Sequence, residues 1–443
     1  MIDIKLIRQN PEAFRKAARD KRIACDIDAV IAIDDRRRAV QQELDQTKYQ
    51  QNEISSQIAH YKNPRSKWYQ SALAEGRTEE ELKAEGQKLV EESSRLKERI
   101  RELEEQFRAA DEELTRALLT VPQLPSPDAP IGPDETGNVE IKRVGEPPKF
   151  DFEPKDHVTL MTQHGMLDIE RGVKLSGTRH YILKGDGALL HQAVLRLAMD
   201  LMLQRGFVQM HVPVLVRDEV MVGTGYYPGG EEQAYRCERD GLSLVGTAEV
   251  PLTAYHSDEI LAEDELPKKF VAVSPCFRRE AGAAGKDTYG LYRIHIFEKV
   301  EQVILCRSDE EESKRFHHEI LQNAEDVLAA LELPYRVINV CTGDMGQGKV
   351  QQFDIETWMP SRNSYGETHS ASRFGEYQAR RLKLRYRDAR KQIHYCHTLN
   401  NTVIASPRIL IPLLECHQQA DGSIRIPAAL RPYVNGREYI GRS

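Results

Sequence analysis

Paired cysteines are missing from this chain. Its seven cysteines, Cys25, Cys237, Cys276, Cys306, Cys341, Cys396 and Cys416, are odd in number, and no two form a Cys-x-x-Cys spacing. That argues against a disulfide framework and a structural zinc site. It is the pattern of scattered reduced thiols in a cytosolic protein, and no zinc is expected. An excess of positive charge is missing too. The formal net charge is −7, so no global basic field draws in nucleic acid. No DNA partner is expected, and any RNA contact must come from local patches. Long apolar runs are absent as well. Met1-Ile2-Asp3-Ile4-Lys5 is mixed in charge with no long apolar stretch behind it, unlike a signal peptide. No other segment is long enough to span a bilayer. Together these absences predict a cytoplasmic protein without a membrane partner. At 443 residues the chain is long enough for two or more domains with a sizeable core.

What is present first is a helical hairpin. Asn10-Pro11-Glu12 is a helix start, an N-cap side chain followed by proline at the first helical position. Two heptad series follow. Val40, Leu44, Thr47, Gln51, Ile54 and Ile58 form one; Leu89, Ser93, Leu96, Ile100, Leu103, Phe107, Ala110 and Leu114 form the other. Steps of three and four keep one stripe of each helix facing a partner, as a coiled coil requires. Asn63-Pro64-Arg65 breaks the first helix, and Thr78 with Glu81 makes a capping box that starts the second. Folded back antiparallel, Val40 meets Phe107, Leu44 meets Leu103 and Ile58 meets Leu89. At 1.5 Å per residue each arm spans roughly 45–60 Å. Acids and bases balance along it, but the turn is basic and aromatic, with Tyr61, Lys62, Arg65, Lys67, Trp68, Tyr69 and Arg77. Such residues either bind phosphates and stack on exposed bases or simply pack the hairpin's end. Five prolines between Val121 and Gly137 then predict a stiff, extended linker. The expected organisation is a helical domain over 1–118, a linker over 119–137 and a second domain over 138–443.

The second domain carries the chemistry in short segments. Ala188–Arg205 has helical apolar spacing with Gly206 as its stop, and Phe207–Val216 alternates like a strand around Pro213. Thr247-Ala248-Glu249 follows a strand-like Leu242–Gly246, and its carboxylate suits an ammonium group. Phe270–Glu280 reads as a strand ending in Phe277-Arg278-Arg279-Glu280. A small-residue loop, 281–287, and a returning strand, Leu291–Ile304, come next. Planar guanidinium groups fixed against a phosphate stabilise charge that grows during attack on phosphorus. Alone, an Arg-Arg-Glu triplet looks like a surface ion pair. Glu367-Thr368-His369-Ser370 offers an acid and a hydroxyl for magnesium, and Thr398-Leu399-Asn400-Asn401-Thr402 a hydroxyl for a polar side chain. Ser406-Pro407-Arg408 reads as N-cap, first helical residue and a first-turn arginine opening a helix over Ile409–Cys416. Pro412 then falls inside that helix, where it is expected to bend it or remove a hydrogen bond.

In this order, these segments resemble the three signatures of class II aminoacyl-tRNA synthetases. Over nearly the whole length, hairpin included, the chain resembles the seryl-tRNA synthetases. The resemblance implies an α+β fold: a mixed, mainly antiparallel sheet with flanking helices, plus an N-terminal antiparallel coiled-coil hairpin. It implies activation of L-serine by ATP to seryl-adenylate and transfer to tRNA(Ser) with a long variable arm, with tRNA(Sec) a second acceptor where the host has one. It further implies a homodimer whose hairpin embraces tRNA bound mainly to the other subunit. Residue by residue, it gives Thr247 and Glu249, with Ala248 between them, to the serine amino group; Glu301 and Thr402 take its hydroxyl and Asn400 supports the pocket. Arg278, Arg279, Glu280, Arg293, Ile294 and Phe297 are implied to bind ATP, Phe297 by stacking on adenine. Glu367 and Ser370, flanking Thr368 and His369, are implied to hold Mg2+, and Arg408 the far phosphate, with Arg278, Glu367 and Arg408 the catalytic set. Tyr289, Tyr292, Ile296 and Thr402 depart from the common family pattern. His369 suits packing better than metal binding. Two alternatives stay open: a carrier-protein ligase with a thiol acceptor, which would lack the hairpin, and a non-catalytic RNA-binding paralogue.

Overall fold

The computed structural model describes residues 1–283, 285, 287 and 289–442; Ala284 and Lys286 of the small-residue loop lie outside the described residues. The chain forms two compact units. One comprises Ile2–Arg15 and Ala24–Val121; the other takes in Met1, Lys16–Ile23 and everything from Pro122 onward.

The first unit is built on two long helices, α1 (Ile27–Lys62) and α2 (Glu79–Thr120). Asp26 starts α1 by accepting from the N–H groups of Asp28 and Ala29, each at 3.0 Å. Thr78 and Glu81 start α2 with the anticipated capping box, at 3.2 and 2.9 Å. Arg36 pairs with Glu113, Lys48 with Glu104, and Tyr61 with Glu85, so the helices run antiparallel. Every residue of both heptad series is buried or half-buried. A short helix, Lys67–Ala74, lies between the arms where only a turn was expected, because Ser66 caps it through the Tyr69 N–H. Tyr69 is buried and Trp68 packs 4.7 Å from Tyr61, so the aromatic rings close the hairpin's end. Lys62, Arg65 and Lys67 remain exposed.

The second unit centres on a sheet. Its strands are β1 (Val139–Val144), β2 (Val208–Gln209), β3 (Lys268–Phe277), β4 (Ile296–Cys306), β5 (Tyr335–Asn339), β6 (Gln351–Met359), β7 (Ser364–Gly375) and β8 (His397–Ser406). Their spatial order is β1-β5-β6-β7-β8-β4-β3-β2, antiparallel throughout except for β2 on β3. Helices α3 (Asp186–Gln204) and α4 (Glu310–Ala330) cover one face. Their Val194, Ala198, Ile320 and Val327 share a core with Val271, Ile304 and Leu399 of the strands, while Phe270, Ala272, Val303 and Leu305 on the other face pack against Ala248, Leu252, Ala379 and Leu382.

Four local readings change. The strand expected over Phe270–Glu280 ends at Phe277, so Arg278, Arg279 and Glu280 lie beyond it. Phe207–Val216 is not one strand. Val208–Gln209 pairs with β3, whereas Leu215–Arg217 joins a separate small sheet, and Pro213 between them has no N–H for a ladder. Leu291–His295 is not strand, so the returning strand starts at Ile296. Ser406 is not an N-cap. It is the last residue of β8, bonded at 2.8 Å to His191. The last helix, α5 (Leu410–His417), begins later, so Arg408 lies in the turn before it. Pro412 is therefore only the third residue of α5, where a backbone N–H would have no intrahelical acceptor. The carbonyl of Arg408 is satisfied instead by the Ile411 N–H at 3.1 Å, and the first regular helical bond is Leu413 to Ile409 at 3.2 Å.

Candidate active site

A cavity of about 790 Å3 opens on the face of the sheet opposite α3 and α4, beside the second core. Alternation along the strands brings Phe297, Lys299 and Glu301 of β4 and Asn400 and Thr402 of β8 to it, with Glu301 opposite Thr402 in the register. Glu367 and Ser370, three apart, would face opposite ways on a regular strand. A bulge resolves this: Glu367 pairs with Glu356 and Ser370 with Asp354, while the ladder shifts between them. All four line the cavity.

At one end lie two carboxylates. Glu249 accepts from the Tyr226 hydroxyl at 2.9 Å and from the Gln378 amide at 2.8 Å, and Gln378 in turn accepts from Thr398 at 2.5 Å. The Thr247 hydroxyl donates to Glu301 at 3.2 Å and accepts from the Glu249 N–H at 3.1 Å, so it ties the two acids together. Lys299 forms an ion pair with Glu301 and donates to the Thr402 hydroxyl at 3.2 Å. Burial pushes the Glu301 carboxyl above its usual range, although Lys299 opposes this. Burial, then the nearby Glu249, also raises the Tyr226 phenol well above its ordinary value. Among the described residues the buried side-chain nitrogen of Asn400 has no partner, so it is a donor open to a ligand.

Arginines occupy the other end. Arg278 donates to the Gly246 carbonyl at 3.3 Å and lies 5.1 Å from the Phe297 ring centroid. Glu280 accepts from Arg293 at 3.0 Å, and Ile294 completes that wall. Arg408 donates to the carbonyls of Tyr292 and Glu367 at 3.0 and 3.1 Å. Among the described residues its guanidinium has no carboxylate partner, and the Glu367 carboxylate has no hydrogen-bond or ion-pair partner. Asp354 is raised to about 7, chiefly by burial and next by the charge of Glu367. Among the described residues no group of three or more His, Cys, Asp or Glu side chains is arranged to hold a metal.

Some anticipated residues do not line the cavity. Ala248 is fully buried, and Arg279 is exposed with its N–H on the Gln233 carbonyl. Thr368 is part of the cavity wall, but its hydroxyl meets Thr357 at 2.7 Å. His369 sits behind the sheet. Its Nε2 meets the Val403 carbonyl at 3.1 Å and its Nδ1 the Thr368 hydroxyl at 2.8 Å. A carbonyl only accepts, so Nε2 carries the proton; burial lowers the ring's pKa to about 3 and keeps it neutral. Conversely, Asp354, Glu356, Tyr226, Gln378 and Lys299 belong to the site and were not singled out. The acid pair Asp354-x-Glu356, alternating with Phe353 and Ile355, was a readable signal. Tyr226 and Gln378 had none, since only the fold brings them to Glu249.

A family model described as the seryl-tRNA synthetase N-terminal domain matches residues 1–125. Another, the tRNA synthetase class II core domain (G, H, P, S and T), matches 235–417. The serine–tRNA ligase of Deinococcus radiodurans is 48% identical over 443 residues, covering 100% of this chain and 99% of that one. That of Rubrobacter xylanophilus is 43% identical over 442 residues, with 100% and 99% covered. Among solved structures, seryl-tRNA synthetase from Pyrococcus horikoshii complexed with ATP superposes with a TM-score of 0.86 at 35% identity, covering 99% of each chain.

Proposed function

The chain belongs to the seryl-tRNA synthetase family and is an ATP-dependent serine–tRNA ligase, and from that premise we propose how its cavity performs the reaction. Glu249, aligned by Tyr226 and Gln378, receives the ammonium group of serine. Glu301, Thr402 and the free Asn400 amide receive its hydroxyl, while Thr247 and Ala248 set the turn that holds both acids in place. Phe297 carries the adenine beside Ile294. Glu280 anchors Arg293 at that wall, and Arg279 lies at its rim. Arg278 meets the α-phosphate and Arg408 the far phosphate. The serine carboxylate then attacks the α-phosphorus in line, and Arg278 stabilises the charge that develops on its oxygens. No covalent enzyme nucleophile or general base is needed. The terminal adenosine of the tRNA takes the seryl group from the adenylate.

Glu367 and Ser370, backed by Asp354, fit magnesium in chemistry. They are hard oxygen donors around an unpartnered carboxylate, and magnesium is usually held by one or two carboxylates plus substrate phosphates. When bound, it would neutralise those phosphates. Thr368 shapes the bulge and His369 packs behind it. Alanine is rejected because it leaves the buried groups around Glu301 unpaired. Threonine must be rejected sterically, and one methyl is worth about 1–3 kcal/mol.

We assign the helical domain, 1–118, to the long variable arm of tRNA(Ser), 119–137 to a linker and 138–443 to catalysis, in a cytoplasmic homodimer. The observation that carries the serine assignment is the Glu249–Thr247–Glu301 bridge, which joins two acids at one end of a cavity whose other end offers Arg278 and Arg408, neither with a carboxylate partner among the described residues. Charging of total tRNA with each amino acid separately tests it. Serine alone should be attached; efficient attachment of any other would overturn the assignment.

A further inference from the structure

Tyr292 carries two guanidinium groups. The Arg362 carbon lies 4.3 Å from its ring centroid and that of Arg408 4.5 Å, and all three side chains line the cavity. Space for the ring comes from Gly366. A Cβ there would stand 3.2 Å from the ring's Cε2 and 3.1 Å from Met359. Arg408 is tied down further by the Tyr292 and Glu367 carbonyls, and the Tyr292 hydroxyl donates weakly to the same Glu367 carbonyl at 3.4 Å. Arg362 pairs with Asp287 at 3.1 Å, whereas Arg408 has no acid among the described residues.

Two like charges on one ring repel each other. The cation–π contacts return only part of that cost, so the arrangement is best balanced when an anion spans both. A polyphosphate, with negative charge repeated along its length, is the ligand class that can reach two neighbouring arginines.

We propose that Arg362 is a second binding cation for the leaving end of ATP, and therefore for pyrophosphate, and that Tyr292 is the positioning residue that aims Arg362 and Arg408 at it. This rests on the placement of the far phosphate at Arg408. As the serine carboxylate oxygen bonds to the α-phosphorus, the bond from that phosphorus to the bridging oxygen breaks. Its electron pair leaves on pyrophosphate, where the two guanidinium groups meet the added charge.

The test is ATP–pyrophosphate exchange by the full-length protein, with KM measured separately for pyrophosphate, ATP and serine. Arg362→Gln and Tyr292→Leu should each raise KM for pyrophosphate by about tenfold or more, a loss of roughly 1.4 kcal/mol, and leave KM for serine within about twofold. Tyr292→Phe, which keeps the ring, should restore most of what Tyr292→Leu loses. Arg408→Ala is the control for the underlying placement. If it cripples exchange while Arg362→Gln keeps the unaltered KM for pyrophosphate, Arg362 serves only to hold Asp287 and the inference falls. If Arg408→Ala is also without effect, the far phosphate lies elsewhere and both readings fall together.

Discussion

Asp354 shows how a site residue is defined by its neighbours. In the sequence it is one acid in an alternating strand. In the fold it faces Glu367 across the bulge, and burial with that second charge lifts it to about 7. An ordinary aspartate titrates near 3.9. With the folded value above the unfolded one, its contribution to stability is fully present below about pH 4 and is lost as pH rises through about 7. Above that, two carboxylates repel each other, an effect that the nearby Lys349 only partly offsets. Magnesium with ATP should therefore raise the thermal midpoint more at pH 8 than at pH 6. Asp354→Asn should flatten that difference and stabilise the ligand-free protein at pH 8 by on the order of 1 kcal/mol, or about 2–4 °C. Equal shifts at both pH values would show that Asp354 does not share the site's charge. Glu249 and Arg278 were legible because their short motifs carry chemistry on their face, whereas Glu301, inside an apolar strand, came only from the family resemblance. Asn400 was legible as a neighbour of Thr402, but only the fold reveals that its side-chain nitrogen lacks a partner among the described residues.

Elements were legible where a single period governs them. The heptads of α1 and α2, the helix starts at Asn10-Pro11 and Thr78 and the stop at Gly206 all follow from local spacing. They were less legible where a register shift intervenes. The bulge that lets Glu367 and Ser370 face one way depends on pairing with β6, which no property of β7 alone discloses. The start of α5 was misplaced for a related reason. Ser406 and Pro407 have the chemistry of a cap, but strand pairing with β4 claims Ser406 first. That shift also explains Pro412. Because it lies in the first turn, Pro412→Ala should change unfolding stability by less than about 1 kcal/mol. Leu413→Pro, one residue on, removes the bond to Ile409 and should cost about 3 kcal/mol or more. Thermal or urea unfolding of both variants decides it; a large loss for Pro412→Ala would mean the proline is structurally required.

For the whole molecule, the two units predict a division of labour. The cavity's lining comes wholly from the unit that contains the sheet, whereas the arm offers exposed Lys62, Arg65 and Lys67 at its tip. Removing Asp28–Thr115 should leave serine activation within severalfold of the intact protein and abolish tRNA charging. Loss of both half-reactions from a folded deletion variant would contradict the division. Phosphate contacts by the arm should also make charging weaken as salt rises. The domain order was legible because a coiled coil and a proline-rich stretch announce themselves. The joining of Lys16–Ile23 to the sheet unit was not, since it depends on packing far along the chain. The most direct measurement for the whole account is serine-dependent ATP–pyrophosphate exchange, made on the intact protein and on Arg278→Ala. The account predicts exchange with serine and not alanine, falling by about a hundredfold or more in the variant. Exchange that ignores serine, or that survives undiminished without Arg278, would contradict it.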